Sequence, residues 1–388
     1  MAKEVVGIVG VGAMGAGIAQ VALENGHEVV IHDVDDEAIE RGRARIRDGL
    51  SRRAAKLELD ADSIDDWVGG RIKDLRDAET IALLGAEVDV AIEAAIEDLE
   101  LKRDIFRALD AAADPDAILA TNTSALSVAA IAEVTRFPQR VLGLHFFNPA
   151  PLMSLVEVVA GPATDPATAD RAAELVERWG KEAVRCADTP GFIVNRVNRP
   201  FTIEALRMLE AGEASIEGVD GAMRAAGYPM GPFELMDHVG LDVNLAAARG
   251  VWEGLGRPDR LRPSPIQERL VEAGRLGRKT GEGFYRWRDG RRDEPADEFT
   301  ALPADSLGAN EIADRIGLFV VNEAWHALGD GVATADDIDL ALRLGAAHPM
   351  GPFERTESMG GKASVADALR RMAVGTPRFE PAPNLRAR

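Results

Sequence analysis

Residues 143–158 read GLHFFNPAPLMSLVEV, and two of them could do proton chemistry. His145 sits in one apolar run and Glu157 in the next, with a Pro-containing turn between them. A strand in a packed sheet has no cheap place for an isolated charge, so such residues pair or serve a function. A satisfied core histidine beside an unrelated edge glutamate is the plain alternative. If strands 141–147 and 154–159 run antiparallel about Pro151, residues whose numbers sum to 302 lie opposite each other, and His145 and Glu157 do. Opposed residues of a regular hairpin carry Cβ atoms roughly 4.5–5.5 Å apart, within reach of an imidazole–carboxylate hydrogen bond. A carboxylate accepting from one ring nitrogen fixes the tautomer and leaves the other nitrogen as a general base.

The elements that must position such a pair are legible upstream. A β-branched run, Val5 to Val9, leads into Gly10-x-Gly12-x-x-Gly15, then a helical pattern, then a second strand (Glu28 to His32) ending at Asp33. Gly10 permits a tight turn, Gly12 lets backbone approach a pyrophosphate, and Gly15 lets the helix pack on the strand. The helix N-terminus offers unpaired N–H groups and a positive dipole end to phosphates. Asp33 is placed to accept from ribose hydroxyls and to repel a 2′-phosphate, so NAD is expected rather than NADP. Strands at Val88–Ile92 and Ala117–Ala120 alternate with helices at Asp98–Ala112 and Val128–Glu133, which predicts a parallel, doubly wound sheet to about residue 188.

Whole-chain properties bound the partners. At 388 residues the chain needs more than one core, and its 46% apolar content is ample for packing. No apolar stretch reaches the roughly 20 residues of a membrane span, and the N-terminal residues lack a signal-peptide pattern. A single cysteine, Cys186, excludes an intramolecular disulfide, so a cytoplasmic, reducing setting is expected. The six histidines show no metal-ligand spacing, and no metal site is expected. A net charge of −20 argues against nucleic acid and anionic membranes, and requires local positive charge wherever a phosphorylated ligand binds. Only 7 of the 45 basic residues are lysine, a balance that points to an acidic surface adapted to salt.

Beyond Asp188 the pattern becomes helical and repeats itself. IVNRVNRPFTIEALRML (193–209) aligns with IADRIGLFVVNEAWHAL (312–328), and GYPMGPFELMD with AHPMGPFERTE. The reading is therefore an α/β Rossmann-like doubly wound sheet followed by two all-α helical domains related as an internal repeat. Its divisions are 1–188, 189–287, a linker at 288–308, a second copy at 309–374, and a loose tail at 375–388.

The motifs GVGAMGAGIAQ, IEAAIEDLELKRDIF, TNTSALSV, GLHFFNPAPLMSLVEV, DTPGFIVNR, GYPMGPFELMDHVGLD and GRKTGEGFYRW appear in order over residues 3–287. With them the chain resembles the L-3-hydroxyacyl-CoA dehydrogenase family, in the form with tandem C-terminal helical domains. The resemblance implies NAD-dependent, reversible oxidation of an L-3-hydroxyacyl-CoA in fatty-acid β-oxidation or a related pathway, with acyl-CoA as substrate. It implies His145 as general base, Glu157 as its orienting carboxylate, and Ser124, Asn148 and Asn195 around the substrate. Glu97, Lys102, Ser124 and Lys279 match cofactor-contacting positions, and Ser51 and Lys56 fall where the family grips coenzyme A. Ser124 could instead cap a helix, and Lys102, like the basic face of Arg52, Arg53 and Lys56, could be solvated. Ala125 and Ser154 stand where members often have serine and lysine, which bears on acyl preference. The second copy carries Asp314 in the slot of Asn195 and is expected to be non-catalytic, packing on the first copy in a monomer or homodimer. A lysine-dependent β-hydroxyacid dehydrogenase, a crystallin-like sugar-acid dehydrogenase and a non-catalytic NAD-binding structural protein are the alternatives.

Overall fold

The computed structural model describes residues 4–57, 60–300 and 306–386, and the chain forms two compact units divided between Asp188 and Thr189. The first unit runs β1 (Val5–Val9), α1 (Ala13–Glu24), β2 (Glu28–His32), α2 (Asp36–Ala55), α3 (Ala61–Ile72), β3 (Leu75–Asp77), α4 (Ile81–Glu87) and β4 (Val90–Glu93). It continues through α5 (Leu99–Ala112), β5 (Ile118–Thr121), α6 (Val128–Ala132), β6 (Val141–Phe146), β7 (Leu155–Ala160), α7 (Pro166–Arg178) and β8 (Glu182–Ala187). The eight strands form one sheet in the order β3-β2-β1-β4-β5-β6-β7-β8. Strand order reverses between β1 and β4, the switch point where doubly wound sheets open a crevice at their carboxyl ends.

Continuous β-branched and aliphatic runs mark strands buried on both faces. Val6, Ile8, Val90, Ile92, Ile118 and Ala120 are at most 2% exposed and pack with Ile18, Ala19 and Ala22 of α1. The sheet is parallel except at one place: β6 and β7 pair antiparallel, in the register of the hairpin read about Pro151, and β8 then pairs parallel to β7. The short turn after β6 forces that reversal, because a parallel return needs a crossover of a dozen residues or more.

The second unit is mainly helical: α8 (Val194–Val197), α9 (Arg199–Glu210), α10 (Ile216–Ala225), α11 (Pro232–Val239), α12 (Leu241–Gly254) and α13 (Pro265–Glu272) precede a hairpin of β9 (Tyr285–Arg288) and β10 (Arg291–Pro295). Then come α14 (Asp297–Thr300), α15 (Ala309–Gly329), α16 (Ala335–Gly345), α17 (Pro352–Ser358), α18 (Lys362–Ala373) and α19 (Pro383–Arg386). The Pro-Met-Gly-Pro-Phe-Glu helix start is built the same way in both places. Asp220 accepts the N–H groups of Phe233 and Glu234 at 2.9 and 3.0 Å, and Asp339 those of Phe353 and Glu354 at 2.7 and 2.9 Å. Only glycine fits before each helix, since a Cβ on Gly231 or Gly351 would fall within 2.5 Å of the capping aspartate.

Buried charges then cross between the two sequence halves of this unit. Arg196 donates to Glu323 at 2.9 Å, while Arg315 donates to Glu204 at 2.7 Å, and both glutamates are at most 1% exposed.

Two expectations need correction here. The expected linker at 288–308 contains β10 and α14, with Ala296 and Phe299 buried, and its residues 301–305 lie outside the described residues. The tail expected to be loose from Gly375 is packed through Phe379, Ala382 and Leu385, each at most 3% exposed, and Asn322 of α15 bonds Glu380 and Ala382. Three apolar residues suffice there because α15 and α18 present a ready apolar groove; residues 387–388 lie outside the described residues.

His348 of this unit is buried, donating or accepting at Asn198 (2.8 Å) and Tyr228 (3.4 Å). Burial, assisted by Arg355, pushes its pKa from 6.5 down to about 3. A depressed folded-state value means the unfolded chain binds the proton more readily. Stability from His348 is therefore complete above pH 6.5 and lost as pH falls toward about 3. Calorimetry at stepped pH should show His348→Gln losing less Tm between pH 7 and about 4 than the parent does. Equal acid sensitivity would contradict this.

Candidate active site

The β6–β7 register sets Gly143 opposite Val159, Leu144 opposite Val158, His145 opposite Glu157 and Phe146 opposite Val156. The histidine Nδ1 lies 2.6 Å from Glu157 Oε2, and its Nε2 lies 3.1 Å from Ser124 Oγ. His145 is 4% exposed and Glu157 0%, so the pair is held away from bulk water. With the carboxylate accepting from Nδ1–H, Nε2 carries its lone pair toward Ser124.

Ser124 belongs to a tetrapeptide, TNTS, in which every residue is tied. Thr121 donates to Glu93 (2.7 Å), Asn122 accepts from Phe146 N–H (2.8 Å), Thr123 donates to Glu97 (2.5 Å), and Ser124 meets His145. Helix capping, the alternative for Ser124, falls to Ser127, whose Oγ accepts from Ala130. Glu97 Oε1 also accepts the N–H groups of Ser124 and Ala125 at 3.1 and 3.2 Å. A serine–histidine–glutamate row could serve nucleophilic acyl transfer, but those amides are turned to a carboxylate and are not free to form an oxyanion hole. The geometry suits proton transfer instead.

Lys102 is not on a solvated face. It is 1% exposed, donates to Glu93 at 2.6 Å and stands 3.4 Å from Glu97. Glu93, Thr121 and Thr123 escaped the sequence reading, and the only signal for Glu93 was an acid ending an otherwise apolar strand.

The residues at the switch point fit a dinucleotide. Gly10 has φ +90°, a Cβ on Gly15 would lie 1.8 Å from Gly10 O, and a Cβ on Gly12 would meet nothing within 4 Å. Helix α1 begins after the N-cap residue Gly12 with no side-chain cap, so its first N–H groups remain available for phosphate. Asp33 accepts Val11 N–H at 2.8 Å and Val34 N–H at 2.7 Å, one per oxygen, leaving lone pairs for ribose hydroxyls. Asp33→Asn is expected to cut the NADH-over-NADPH preference in kcat/KM roughly tenfold or more, by removing the like charge that faces a 2′-phosphate. Parallel assays with the two cofactors read this directly.

A cavity of about 1210 Å³ opens elsewhere on the first unit, among α1, α2, α3 and the segments around Pro149 and Gly180. Its walls carry Arg45, Arg52, Arg53, Lys56, Arg71 and Lys181 against Glu24 and Asp48, the local positive charge an acidic chain needs for an anionic ligand. Asn148 lines the same cavity. Arg71 stacks 3.6 Å over Trp67, and burial lowers the pKa of Lys181, whose ammonium donates to Met153 O. Ser51 is not among the lining residues; its hydroxyl turns back to Arg47 O at 2.9 Å.

Asn195 and Lys279 belong to the second unit. The Asn195 carbonyl accepts from Arg199 at 2.8 Å, and Lys279 is paired with Asp242 at 2.6 Å. Burial holds the Arg199 pKa down at about 10. Among the described residues there is no cluster of three potential metal ligands and no helix long and apolar enough to cross a membrane.

The glycine turn and Asp33 at the switch point of a doubly wound sheet mark a dinucleotide-binding protein, with a buried histidine–glutamate pair on the same sheet. Residues 5–189 match the NAD-binding domain of 3-hydroxyacyl-CoA dehydrogenase, and residues 191–287 and 312–387 match that enzyme's C-terminal domain. The chain is 36% identical to the 3-hydroxyadipyl-CoA dehydrogenase of Escherichia coli K12, over 92% of this chain and 91% of that one. It is 41% identical to human mitochondrial hydroxyacyl-coenzyme A dehydrogenase, over 72% of this chain and 90% of that one. The crystal structure of 3-hydroxybutyryl-CoA dehydrogenase from E. coli K12 superposes with a TM-score of 0.89 at 35% identity, covering 100% of this chain and 98% of that one. The chain belongs to the 3-hydroxyacyl-CoA dehydrogenase family and is an NAD-dependent enzyme.

Proposed function

We propose that the enzyme interconverts L-3-hydroxyacyl-CoA and 3-ketoacyl-CoA in fatty-acid β-oxidation or a related CoA-ester pathway, with His145 as general base. The observation that carries this is the alignment of Glu157, His145 and Ser124 through contacts of 2.6 and 3.1 Å. His145 Nε2 removes the proton of the 3-hydroxyl, and Glu157 steadies the imidazolium that forms. In the ketone-reducing direction the same nitrogen returns the proton. Ser124 holds the reacting oxygen beside Nε2. The bound nicotinamide supplies the hydride acceptor. Asn195 and Asn148 orient the substrate, and Glu97, Lys102 and Lys279 serve the cofactor. The cationic cavity holds coenzyme A, with Lys56, Arg52 and Arg53 on its phosphates; the Ser51 hydroxyl, turned to Arg47, does not support a contact of its own.

The helical halves are two copies of one domain. Their twin aspartate-capped helix starts and reciprocal Arg–Glu pairs support this, with the second copy packing on the first as a subunit would. Asp314 in the second copy, 68% exposed, supports a non-catalytic role there. A reducing, cytoplasmic setting suits the single buried thiol. Sedimentation distinguishes monomer from homodimer.

The test is NADH oxidation with acetoacetyl-CoA, free acetoacetate and NADPH in separate assays, each at low and molar KCl. Turnover confined to the CoA ester with NADH supports the reading. Turnover of sugar acids without any CoA requirement would replace it with the crystallin-like one.

A further inference from the structure

We propose that Glu93 is a positioning residue that ties the cofactor-side loop to the Ser124 loop, an inference that rests on the reaction proposed above. Glu93 ends β4, the strand beside β1 at the switch point, and is fully buried. One carboxylate oxygen accepts Ala95 N–H at 2.7 Å and the Lys102 ammonium at 2.6 Å; the other accepts Thr121 Oγ–H at 2.7 Å. Its own carbonyl accepts Asn122 N–H at 2.7 Å. A single side chain thus grips the start of the loop leaving β4 and the end of β5.

The grip is relayed. Lys102, 3.4 Å from Glu97 Oε2, stands between two carboxylates, and the second carboxylate carries three donors of the Thr123–Ala125 backbone and side chains. Ser124 therefore reaches His145 from a loop whose position is set by a carboxylate–ammonium–carboxylate row. Burying the Glu93–Lys102 pair is expensive, and an apolar pair of similar shape would pack at least as well, so stability alone does not account for it. Position does. With a neutral residue at 93, Lys102 keeps the Ala95 carbonyl and Glu97 as its one carboxylate, draws that carboxylate toward itself, and loosens its hold on Ser124.

The experiment compares Glu93→Gln and the double variant Glu93→Gln/Lys102→Met with the parent full-length enzyme. Tm, NADH affinity by fluorescence titration, and kcat and KM with acetoacetyl-CoA are measured for each. Both variants are expected to lose kcat by about tenfold or more through misplacement of Ser124, with little change in the CoA-ester KM. NADH dissociation constants should rise by about fivefold as the 94–97 loop loses its anchor. In the double variant the Tm returns toward the parent value while kcat stays low, which a purely structural role would not produce. Parental kcat in either folded variant overturns the proposal, and should Glu93→Gln fail to fold, the double variant decides. A parent enzyme inert toward acetoacetyl-CoA would refute the reaction proposed above, leaving the NADH titration to judge Glu93, where unchanged affinity overturns it.

Discussion

Glu157→Gln is expected to lower kcat by about 10²–10³-fold while leaving NADH affinity and the fold unchanged. The amide has the carboxylate's shape, but its NH₂ group can donate to His145 Nδ1 and so favour the tautomer that carries the proton on Nε2. That nitrogen then donates where it must accept. His145→Ala should cost about 10²–10⁴-fold, the usual worth of a positioned base. Ser124→Ala, which leaves the base intact, should cost less than either. Initial rates with acetoacetyl-CoA and NADH, with cofactor titration alongside, check the series. A Glu157→Gln variant within threefold or so of the parent would remove the carboxylate from the proton-transfer scheme.

Much of this site was readable because strand pairing turns spacing into proximity. The turn between the apolar runs fixes a register in which His145 meets Glu157, and both residues stand out chemically from their neighbours. Gly10 and Gly15 were readable for a similar reason, since each answers a local steric demand, whereas a Cβ on Gly12 would meet nothing within 4 Å. Glu93 was not. Its partners come from Lys102, Thr121 and Ala95, and no pattern within a single element announces a contact assembled by two strands, a helix and a loop. Strand β3 is three residues long, too short for periodicity to show. The tail read as loose because GTPRFEPAPNLRAR has neither helical nor strand period, yet Phe379 and Leu385 needed only a receiving surface. Ser51 shows the limit of transferring a role by alignment, for its hydroxyl is spent on its own helix.

Glu323→Ala is expected to destabilise the helical unit by about 3–5 kcal/mol, because it leaves buried guanidinium charge without its carboxylate. Arg196 would retain only Asp330, at 2.5 Å, and Arg260 would lose a contact of 2.7 Å. For a unit of this size that is roughly 10 °C in Tm. Glu204→Ala should behave alike, since Arg315, Arg378 and Arg207 converge on it. Differential scanning calorimetry measures both. A Tm shift under about 2 °C for either would show that relaxation or water compensates the charge, and that the row does not hold the halves together.

The reciprocal pairs have a consequence for how the enzyme behaves on dilution. Where Arg–Glu contacts of this kind join separate chains, mass action governs them, and the face opens as protein concentration falls below the dissociation constant. Here both sides of the face are delivered by one polypeptide, Arg196 and Glu204 from one half, Arg315 and Glu323 from the other. Closure is unimolecular, so its effective concentration is set by the connecting segment and not by the solution. The Arg–Glu face should therefore contribute the same to Tm from micromolar stocks to nanomolar assays.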